Sequence, residues 1–346
     1  MIPNCPLPGE SPSLSLASPE RVGYNDTELL ALRKGSSVVS LAFFRNQFMP
    51  LENATVSIAT HALNYGTGCF EGIRGYYNEN ADTLYVVKLK EHYQRFLRSC
   101  RIMRIDPGYT VDELCQITTT LLQKNAMTTD VYIRPLAFKA DPVIKVTLEG
   151  IADAVGIFTV PLGDYLPTNG IHVAVSAWRR LEDNAIPSRA KVTGSYVNTA
   201  LAVSDAHLAG FDDAIFLSES GHVAEGSAAN LFMVRDGVVI TPPGTENILE
   251  GITRQVVLSL TEELEVPIQV RPIDRTELYV ADELFLVGTG VQVAPITKID
   301  HRTVGTGTIG PVTQKLQALY FDACRGLVPR YRGWLTPVSY SVSDPV

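Results

Sequence analysis

Lys191 lies in a run of small and polar residues, Ser188-Arg189-Ala190-Lys191-Val192-Thr193-Gly194-Ser195-Tyr196. Pro187 before it and Gly194 after it predict a constrained turn instead of a helix face. In such a turn, a lysine amine near a tyrosine is suited to covalent chemistry at an aldehyde. Most lysines are solvated surface charges, so the spacing leaves both interpretations open.

Three further groups of residues follow Lys191. Glu225 stands before Gly226 without a cationic neighbour, so it is either a surface-turn carboxylate or a partner that keeps a ring nitrogen protonated. Gly251-Ile252-Thr253-Arg254 opens an apolar-periodic run, which predicts a helix start with free N–H groups that attract anions. Gly288-Thr289-Gly290 closes an apolar run and predicts a phosphate nest or a plain strand end. Together these parts suit pyridoxal phosphate.

Composition and length limit the class of protein. The chain has 346 residues and a net charge of -8, which favour two domains and disfavour nucleic-acid binding. No apolar run reaches the roughly 20 residues of a membrane span, and the N-terminal residues lack a signal-peptide pattern. Five cysteines without CxxC spacing predict neither disulfides nor a metal site. We therefore expect a cytoplasmic protein with reduced thiols.

Hydrophobic period and turn residues divide the chain in two. We expect a small N-terminal α+β domain at 1–158, with a loose lead at 1–22, a linker at 159–168, and a larger C-terminal domain at 169–346 that carries Lys191. The predicted strands are 38–44, 84–88, 131–138, 154–160, 171–177, 213–217, 230–235, 237–241, 268–272 and 283–288. The predicted helices are 90–103, 111–125, 198–209, 251–264 and 311–325. Gly305-Thr306-Gly307-Thr308-Ile309-Gly310 matches GxGxxG but is predicted to be a loop, because too little chain follows it for a dinucleotide fold.

The landmarks in this order resemble the branched-chain amino acid aminotransferases, the fold-type IV group of pyridoxal phosphate enzymes. The segments that carry the resemblance are His61–Thr67, Phe70–Arg74, Glu91–Arg95, Tyr132–Pro135, Ala190-Lys191, Gly194–Tyr196, Glu225-Gly226, Asn230–Phe232, Gly251–Arg254 and Gly288-Thr289. The resemblance implies an α/β (α+β) fold of two domains, the smaller N-terminal one α+β and the larger C-terminal one rich in strands with added helices.

The resemblance also implies roles for single residues. Lys191 would bond to the cofactor aldehyde and carry the proton to and from the substrate Cα, while Tyr196 would hydrogen-bond the ring O3′ and Glu225 would hold the ring nitrogen. The groups implied for the phosphate are Arg95 and the backbone N–H groups of Ile252, Thr253 and Thr289.

On the substrate side, the resemblance implies an aromatic pocket formed by Phe70, Tyr65, Tyr132 and Tyr165. Arg134 would receive the distal carboxylate of glutamate, with Arg74 close to the same pocket, and the backbone at Thr289 and Gly290 would take the α-carboxylate. The implied reaction is a ping-pong transfer of the amino group between Leu, Ile or Val and 2-oxoglutarate, in biosynthesis of these amino acids. The implied assembly is a homodimer or higher homo-oligomer, with residues around Met103 reaching the neighbour.

Three segments depart from the family pattern: Ala228-Ala229 replaces Gly-Glu, Ala140–Lys145 replaces a glycine-rich loop, and Leu162 replaces a tryptophan. They leave open an (R)-selective amine or D-amino acid transaminase, or aminodeoxychorismate lyase, on the same fold. A different class also stays open, a non-catalytic or redox-type α/β protein that uses the GxGxxG segment.

Overall fold

The computed structural model describes residues 40–164 and 166–340. The predicted loose lead at 1–22 and the predicted pocket residue Tyr165 lie outside the described residues. Two β-sheets with packed helices form the described part, which confirms the mixed α/β class. The division into domains stays a prediction, and the last strand of the chain pairs with the first sheet.

The first sheet is antiparallel in each of its pairings and consists of eight strands. These are β1 (Leu41–Phe44), β2 (Gln47–Pro50), β3 (Gly68–Phe70), β4 (Ile73–Asn78), β5 (Thr83–Val87), β6 (Val131–Lys139), β7 (Asp153–Pro161) and a late strand, Leu335–Ser339. Helices Leu89–Ile102 and Val111–Lys124 cover one face. On β6, Val131 and Ile133 enter this core, so the alternating Tyr132 and Arg134 lie on the opposite face.

The second sheet has nine strands in the described residues. They are β8 (Ile171–Arg179), β9 (Asp213–Leu217), β10 (Val223–Gly226), β11 (Asn230–Arg235), β12 (Val238–Thr241), β13 (Ile268–Val270), β14 (Glu283–Gly288), β15 (Gln292–Ile299) and β16 (Arg302–Thr303). The spatial order is β10-β9-β8-β15-β14-β11-β12-β13, with β16 beside β15. The late strand Leu335–Ser339, which returns to the first sheet, is β17.

The centre of the second sheet is buried on both faces. Leu231 and Met233 of β11 enter one apolar core, and the alternating Phe232 and Val234 enter another. Helices Ile252–Glu263 and Pro311–Cys324 supply side chains to the second core, while helix Tyr196–Leu208 packs on β8 and β9. The short helices are His61–Tyr65 and the 3-10 turns Leu51–Asn53, Thr193–Ser195, Gly244–Glu246, Arg275–Tyr279 and Pro329–Trp334.

All of the predicted strands and helices have counterparts in the structure, most with ends shifted by one or two residues, and residues 38 and 39 of the first predicted strand lie outside the described residues. The GxGxxG segment is a loop, as predicted, and leads into the Pro311–Cys324 helix. The elements that were not predicted are the short helix His61–Tyr65 and the strands β2, β3, β4, β10, β15, β16 and β17.

Candidate active site

The turn that carries Lys191 is fixed to β3 and to the Leu89–Ile102 helix, both of which belong to the first sheet and its core. The Lys191 amide donates to Ser99 Oγ of the Leu89–Ile102 helix (3.1 Å), and the Lys191 carbonyl accepts from the Phe70 amide (3.0 Å). Thr193 Oγ1 donates to the Gly66 carbonyl at 2.9 Å. This turn is therefore held against β3 and the helix beneath it, which confirms the constrained turn. No pattern along the chain indicated that Ser99 would support it.

The amine of Lys191 is held by a hydroxyl and two aromatic rings. Its Nζ donates to Tyr196 Oη at 2.5 Å and lies 5.0 Å from the centre of the Phe70 ring. The Phe70 and Tyr196 rings meet edge to face at 4.7 Å. Phe70 comes from the first sheet and Tyr196 begins a helix of the second half, so the fold brings both to one amine. The arrangement orients a nucleophilic amine.

Glu225 lies on β10 and is buried, so the surface-turn interpretation is wrong. Arg180 Nε is 2.9 Å from one carboxylate oxygen, while Asn230 Nδ2 and the Leu249 amide donate to the other at 3.0 and 3.1 Å. Burial raises the pKa of Glu225, and the charge of Arg180 opposes that rise without cancelling it. Arg180, which follows the end of β8, was not predicted from the sequence, and neither was a role for Asn230.

Gly251 has a steric role beside Glu225. A Cβ at this position would lie 2.0 Å from Asn230 Oδ1, so a larger residue would displace the Asn230 amide. That amide also donates to the Leu249 carbonyl at 2.9 Å. The absent side chain at Gly251 therefore gives Asn230 the space in which it supports the carboxylate.

Two groups of backbone amides are free to bind an anion. The N–H groups of Ile252 and Thr253 begin the Ile252–Glu263 helix and take no acceptor among the described residues, and the helix has no side-chain N-cap. Within the same part of the chain, the N–H groups of Thr289 and Gly290 are also without an acceptor. Ile252, Thr253 and Thr289 line one pocket. Such unpaired N–H groups suit a phosphate.

Arg95 lies next to this helix start and is almost fully engaged by protein groups. Its Nε and Nη2 donate to the two oxygens of Glu71 at 2.7 and 2.8 Å, and its Nη1 donates to the Glu250 carbonyl at 2.9 Å. His92 Nδ1 is 2.8 Å from Glu71. Burial raises the pKa of Glu71, but Arg95 and His92 outweigh burial and hold that pKa well below its usual range. No role was predicted from the sequence for Glu71 or His92.

An arginine and two aromatic rings form the candidate side-chain pocket. The guanidinium of Arg134 lies 4.4 Å from the centre of the Phe70 ring and 5.2 Å from that of Tyr132, and it donates to Tyr132 Oη at 3.0 Å. The buried Nε of Arg134 has no partner among the described residues. A Cβ at Gly72 would lie 2.1 Å from Tyr132 Oη, so glycine is required there. This pocket is both aromatic and cationic.

Arg74 and Tyr65 lie elsewhere around the site. Arg74 is buried and donates to the carbonyls of Gly290, Leu162 and Gly163 at 3.1, 3.0 and 2.5 Å. These N–H groups are therefore directed at backbone carbonyls and not into the pocket formed by Arg134, Phe70 and Tyr132. Tyr65 ends the His61–Tyr65 helix, where its ring packs on His61 at 4.7 Å and is partly exposed.

The described residues contain no cluster of His, Cys, Asp and Glu side chains able to hold a metal ion. No helix in that part of the chain is both long and apolar enough to cross a bilayer.

Comparison with known proteins gives a consistent result. The family model described as amino-transferase class IV matches residues 68–299. The chain is 47% identical over 302 residues to a probable branched-chain-amino-acid aminotransferase from Aquifex aeolicus, covering 87% of this chain and 97% of that protein. It also resembles the branched-chain aminotransferase of Thermoproteus uzoniensis with norvaline, with a TM-score of 0.83, 41% identity, and coverage of 86% of this chain and 99% of that one.

A further similar structure is the branched-chain amino acid aminotransferase from Thermobaculum terrenum in its PLP-form. Its TM-score is 0.83 at 37% identity, and the match covers 87% of this chain and 98% of that chain.

Proposed function

The chain belongs to the class IV aminotransferases and is a transaminase, and from that premise we propose that it exchanges the amino group between branched-chain L-amino acids and 2-oxoglutarate. The relatives named as branched-chain aminotransferases support this choice of substrate. One observation carries the mechanism: the Lys191 amine lies on Tyr196 Oη, within the residues predicted to hold pyridoxal phosphate.

The residues present fit pyridoxal phosphate. When bound, this cofactor supplies an aldehyde for covalent attachment and a ring that withdraws electrons from the substrate Cα. Lys191 Nζ would be the attachment point and the group that moves the proton at the substrate Cα. Tyr196 Oη orients that amine, and buried Glu225 would keep a proton on the ring nitrogen. The free N–H groups of Ile252, Thr253 and Thr289 would hold the phosphate, with Arg95 beside them at the Glu250 carbonyl.

The pocket chemistry supports a dual substrate. Leucine-like side chains gain from burial against the rings of Phe70 and Tyr132, whereas a glutamate side chain needs a cation for its carboxylate. Arg134 lies over both rings and keeps an unpaired Nε donor among the described residues. One pocket of this kind accepts both partners of the exchange.

A screen of half-reactions tests the proposed substrates. The pyridoxal form of the enzyme is mixed in separate experiments with L-leucine, L-glutamate, D-alanine and an (R)-aryl amine, and conversion to the pyridoxamine form is followed by absorbance. We expect fast conversion with L-leucine and L-glutamate only. Fast conversion with D-alanine or the aryl amine, and none with L-leucine, would contradict the branched-chain assignment and favour the alternative transaminases.

We further propose that the chain acts as a homodimer or higher homo-oligomer. Exposed apolar side chains occur on three neighbouring segments, at Ile58, Val146 and Val197. His61 Nε2 contacts the Lys145 carbonyl at 2.7 Å, and the Gly194 amide donates to the Gly66 carbonyl, so these segments adjoin one another and the Lys191 turn. A second copy of the chain would cover this apolar surface.

Light scattering after size-exclusion chromatography tests this assembly. We expect a mass of at least twice the 37.8 kDa of one chain, and a fall toward one chain in Ile144→Glu, because Ile144 is 73% exposed beside Val146. Leu327→Glu is the control, since Leu327 is exposed on a different segment. A single-chain mass for the unaltered protein would overturn the assembly proposal.

The proposal extends to a cytoplasmic role in biosynthesis of branched-chain amino acids. Free thiols at the four described cysteines, Cys69, Cys100, Cys115 and Cys324, support a reducing compartment.

A further inference from the structure

Two buried side chains of β4 reach from the first sheet to the turn between β14 and β15. Arg74 and Tyr76 are two residues apart, so they lie on the same face of the strand. They are 2% and 0% exposed. Arg74 contacts the turn at Gly290, and Tyr76 contacts Gln292 where β15 begins. Neither Tyr76 nor Gln292 has a role in the proposed chemistry.

Arg74 joins the turn to a second segment of chain. One Nη donates to the Gly290 carbonyl, and the other donates to the carbonyls of Leu162 and Gly163. Within 40–164 and 166–340, no carboxylate forms an ion pair with Arg74, although a buried arginine normally has one. Three backbone carbonyls therefore solvate this cation, and their positions depend on it.

The bond to Gly290 fixes the direction of the neighbouring amide. In a trans peptide the C=O and the next N–H point in opposite directions, so holding the Gly290 carbonyl also orients the Val291 N–H. The N–H groups of Thr289, Gly290 and Val291 take no acceptor from the described part of the chain. Arg74 thus holds a turn whose amides remain free for an anion.

Gln292 forms a second connection between the same two segments. Its Oε1 accepts from Tyr76 Oη at 3.1 Å, and its Nε2 donates to Asp164 Oδ1 at 2.7 Å. Gln292 is 1% exposed and has a φ of 61°, a left-handed conformation that is unusual for a residue other than glycine. Such a conformation persists where surrounding contacts enforce it, as the two side-chain bonds do here.

We propose that Arg74, Tyr76, Gln292 and Asp164 form a latch that holds the Thr289–Val291 turn against residues 162–164, so that the Gly290 and Val291 N–H groups bind the α-carboxylate shared by every substrate while the Thr289 N–H serves the phosphate. The inference rests on the proposed function, because it takes that turn as the α-carboxylate site. Arg74 is then a positioning residue that acts through the turn, and Arg134 alone discriminates the distal carboxylate.

The two arginines should differ in which substrates they affect. All amino acids and 2-oxo acids carry an α-carboxylate, so Arg74→Met should raise KM for leucine and for 2-oxoglutarate by a similar factor, about 10-fold, which is about 1.4 kcal/mol of binding. Arg134→Met, the matched variant, should raise KM for 2-oxoglutarate and leave that for leucine within about threefold. Arg74→Lys keeps the charge and should restore part of the loss.

Binding without chemistry provides a second measurement. The pyridoxal form is titrated with 4-methylvaleric acid, which has the carbon skeleton and carboxylate of leucine but no amino group. We expect weaker binding in Arg74→Met and in Gln292→Leu, with cofactor affinity measured beside it. Gln292→Leu removes both side-chain bonds and leaves Arg74 in place, so it tests the latch should Arg74→Met fail to fold.

The outcomes separate this inference from the proposed function. A rise in KM for 2-oxoglutarate alone in Arg74→Met would make Arg74 a ligand of the distal carboxylate and overturn the latch. Unchanged binding of 4-methylvaleric acid in Gln292→Leu would overturn it as well. If the unaltered enzyme rejects leucine, the substrate proposal fails, and the latch is then tested with the donor that the enzyme accepts, because its effect does not depend on the side chain.

Discussion

At the scale of single residues, the side chains that form the site contact partners that are not their neighbours along the chain. Lys191 was expected in a constrained turn, and the turn is present with Tyr196 beside the amine. The burial of Glu225 and its ion pair with Arg180 were not predictable, because the two residues are 45 positions apart in the sequence and meet only after the intervening chain has folded. A sequence pattern reports neighbours along the chain, whereas pairing of buried charges depends on the tertiary fold.

Lys191→Ala tests the central residue. We expect loss of transamination by at least about 10³-fold, because the variant lacks both the attachment amine and the proton carrier. The fold should remain, since the turn is held by backbone bonds at Ser99 and Phe70 that alanine can keep. Turnover is measured with leucine and 2-oxoglutarate, and circular dichroism checks the fold. Retained turnover would contradict the assigned role of Lys191.

Arg180→Met tests the electrostatic support of Glu225. The positive charge of Arg180 lowers the pKa of Glu225 and so opposes the effect of burial, which raises it; without the guanidinium the pKa of Glu225 should rise further. Since the ionised carboxylate is the useful form, the acidic limb of the kcat/KM profile should move to higher pH, with the largest loss below about pH 7. The exposed neighbour Arg179 provides the control in Arg179→Met. A loss that is uniform from acidic to alkaline pH would count against this explanation.

At the scale of elements, the sequence predicted a helix most accurately where the hydrophobic period and the capping residues indicate the same boundaries. Thr110 caps the start of helix Val111–Lys124 and forms a capping box with Glu113, and the predicted range of this helix differs by one residue. The missed strands have physical reasons. β15 contains Pro295, which lacks an N–H for the ladder yet pairs with Phe285, and β10 has a carboxylate among buried residues.

Gly251→Ala tests a helix start that is also part of the site. The new Cβ would meet Asn230 Oδ1 at 2.0 Å and push away the amide that supports Glu225. We expect a loss of about 1–3 kcal/mol in the free energy of unfolding, together with weaker cofactor binding. Gly244→Ala is the matched control, because the nearest atom to its Cβ is 3.9 Å away. Equal effects of the two changes would refute the steric argument.

At the scale of the whole molecule, the site exists because the halves of the chain meet at Lys191. Phe70 and Ser99 from the first half contact the turn, whereas Tyr196 follows it in the second half. The resemblance to a known family predicted that these residues lie together, whereas composition and hydrophobic period alone could not predict it. Long-range contacts are set by packing of complementary faces, which local patterns leave undetermined.

The folded molecule should also lose stability as the pH rises through the range of one buried carboxyl, Asp213. Burial raises the pKa of Asp213 to about 6, from 3.8 when exposed. The folded state therefore holds a proton that the unfolded state releases, so this contribution is complete below about pH 4 and is lost between about pH 4 and 6. Asp213→Asn keeps a neutral group and should be more stable by roughly 2–3 kcal/mol above about pH 6.

Urea unfolding at about pH 4 and about pH 7.5 measures this difference between Asp213→Asn and the unaltered protein. The advantage of the variant should appear at the higher pH and shrink at the lower one. Asp236→Asn is the control, since the Asp236 side chain is 92% exposed. An advantage that is the same at both pH values would argue against titration of Asp213.

The return of β17 to the first sheet has a consequence for how the protein is made. Leu335–Ser339 pairs with β5, and the Lys88 amide donates to the Trp334 carbonyl at 2.7 Å. The edge of β5 therefore leaves the ribosome long before the strand that covers it is translated. Until then the N–H and C=O groups of β5 are free to pair with strands of other nascent chains. A chain truncated before Leu335 would keep this unpaired strand edge and would be prone to aggregate.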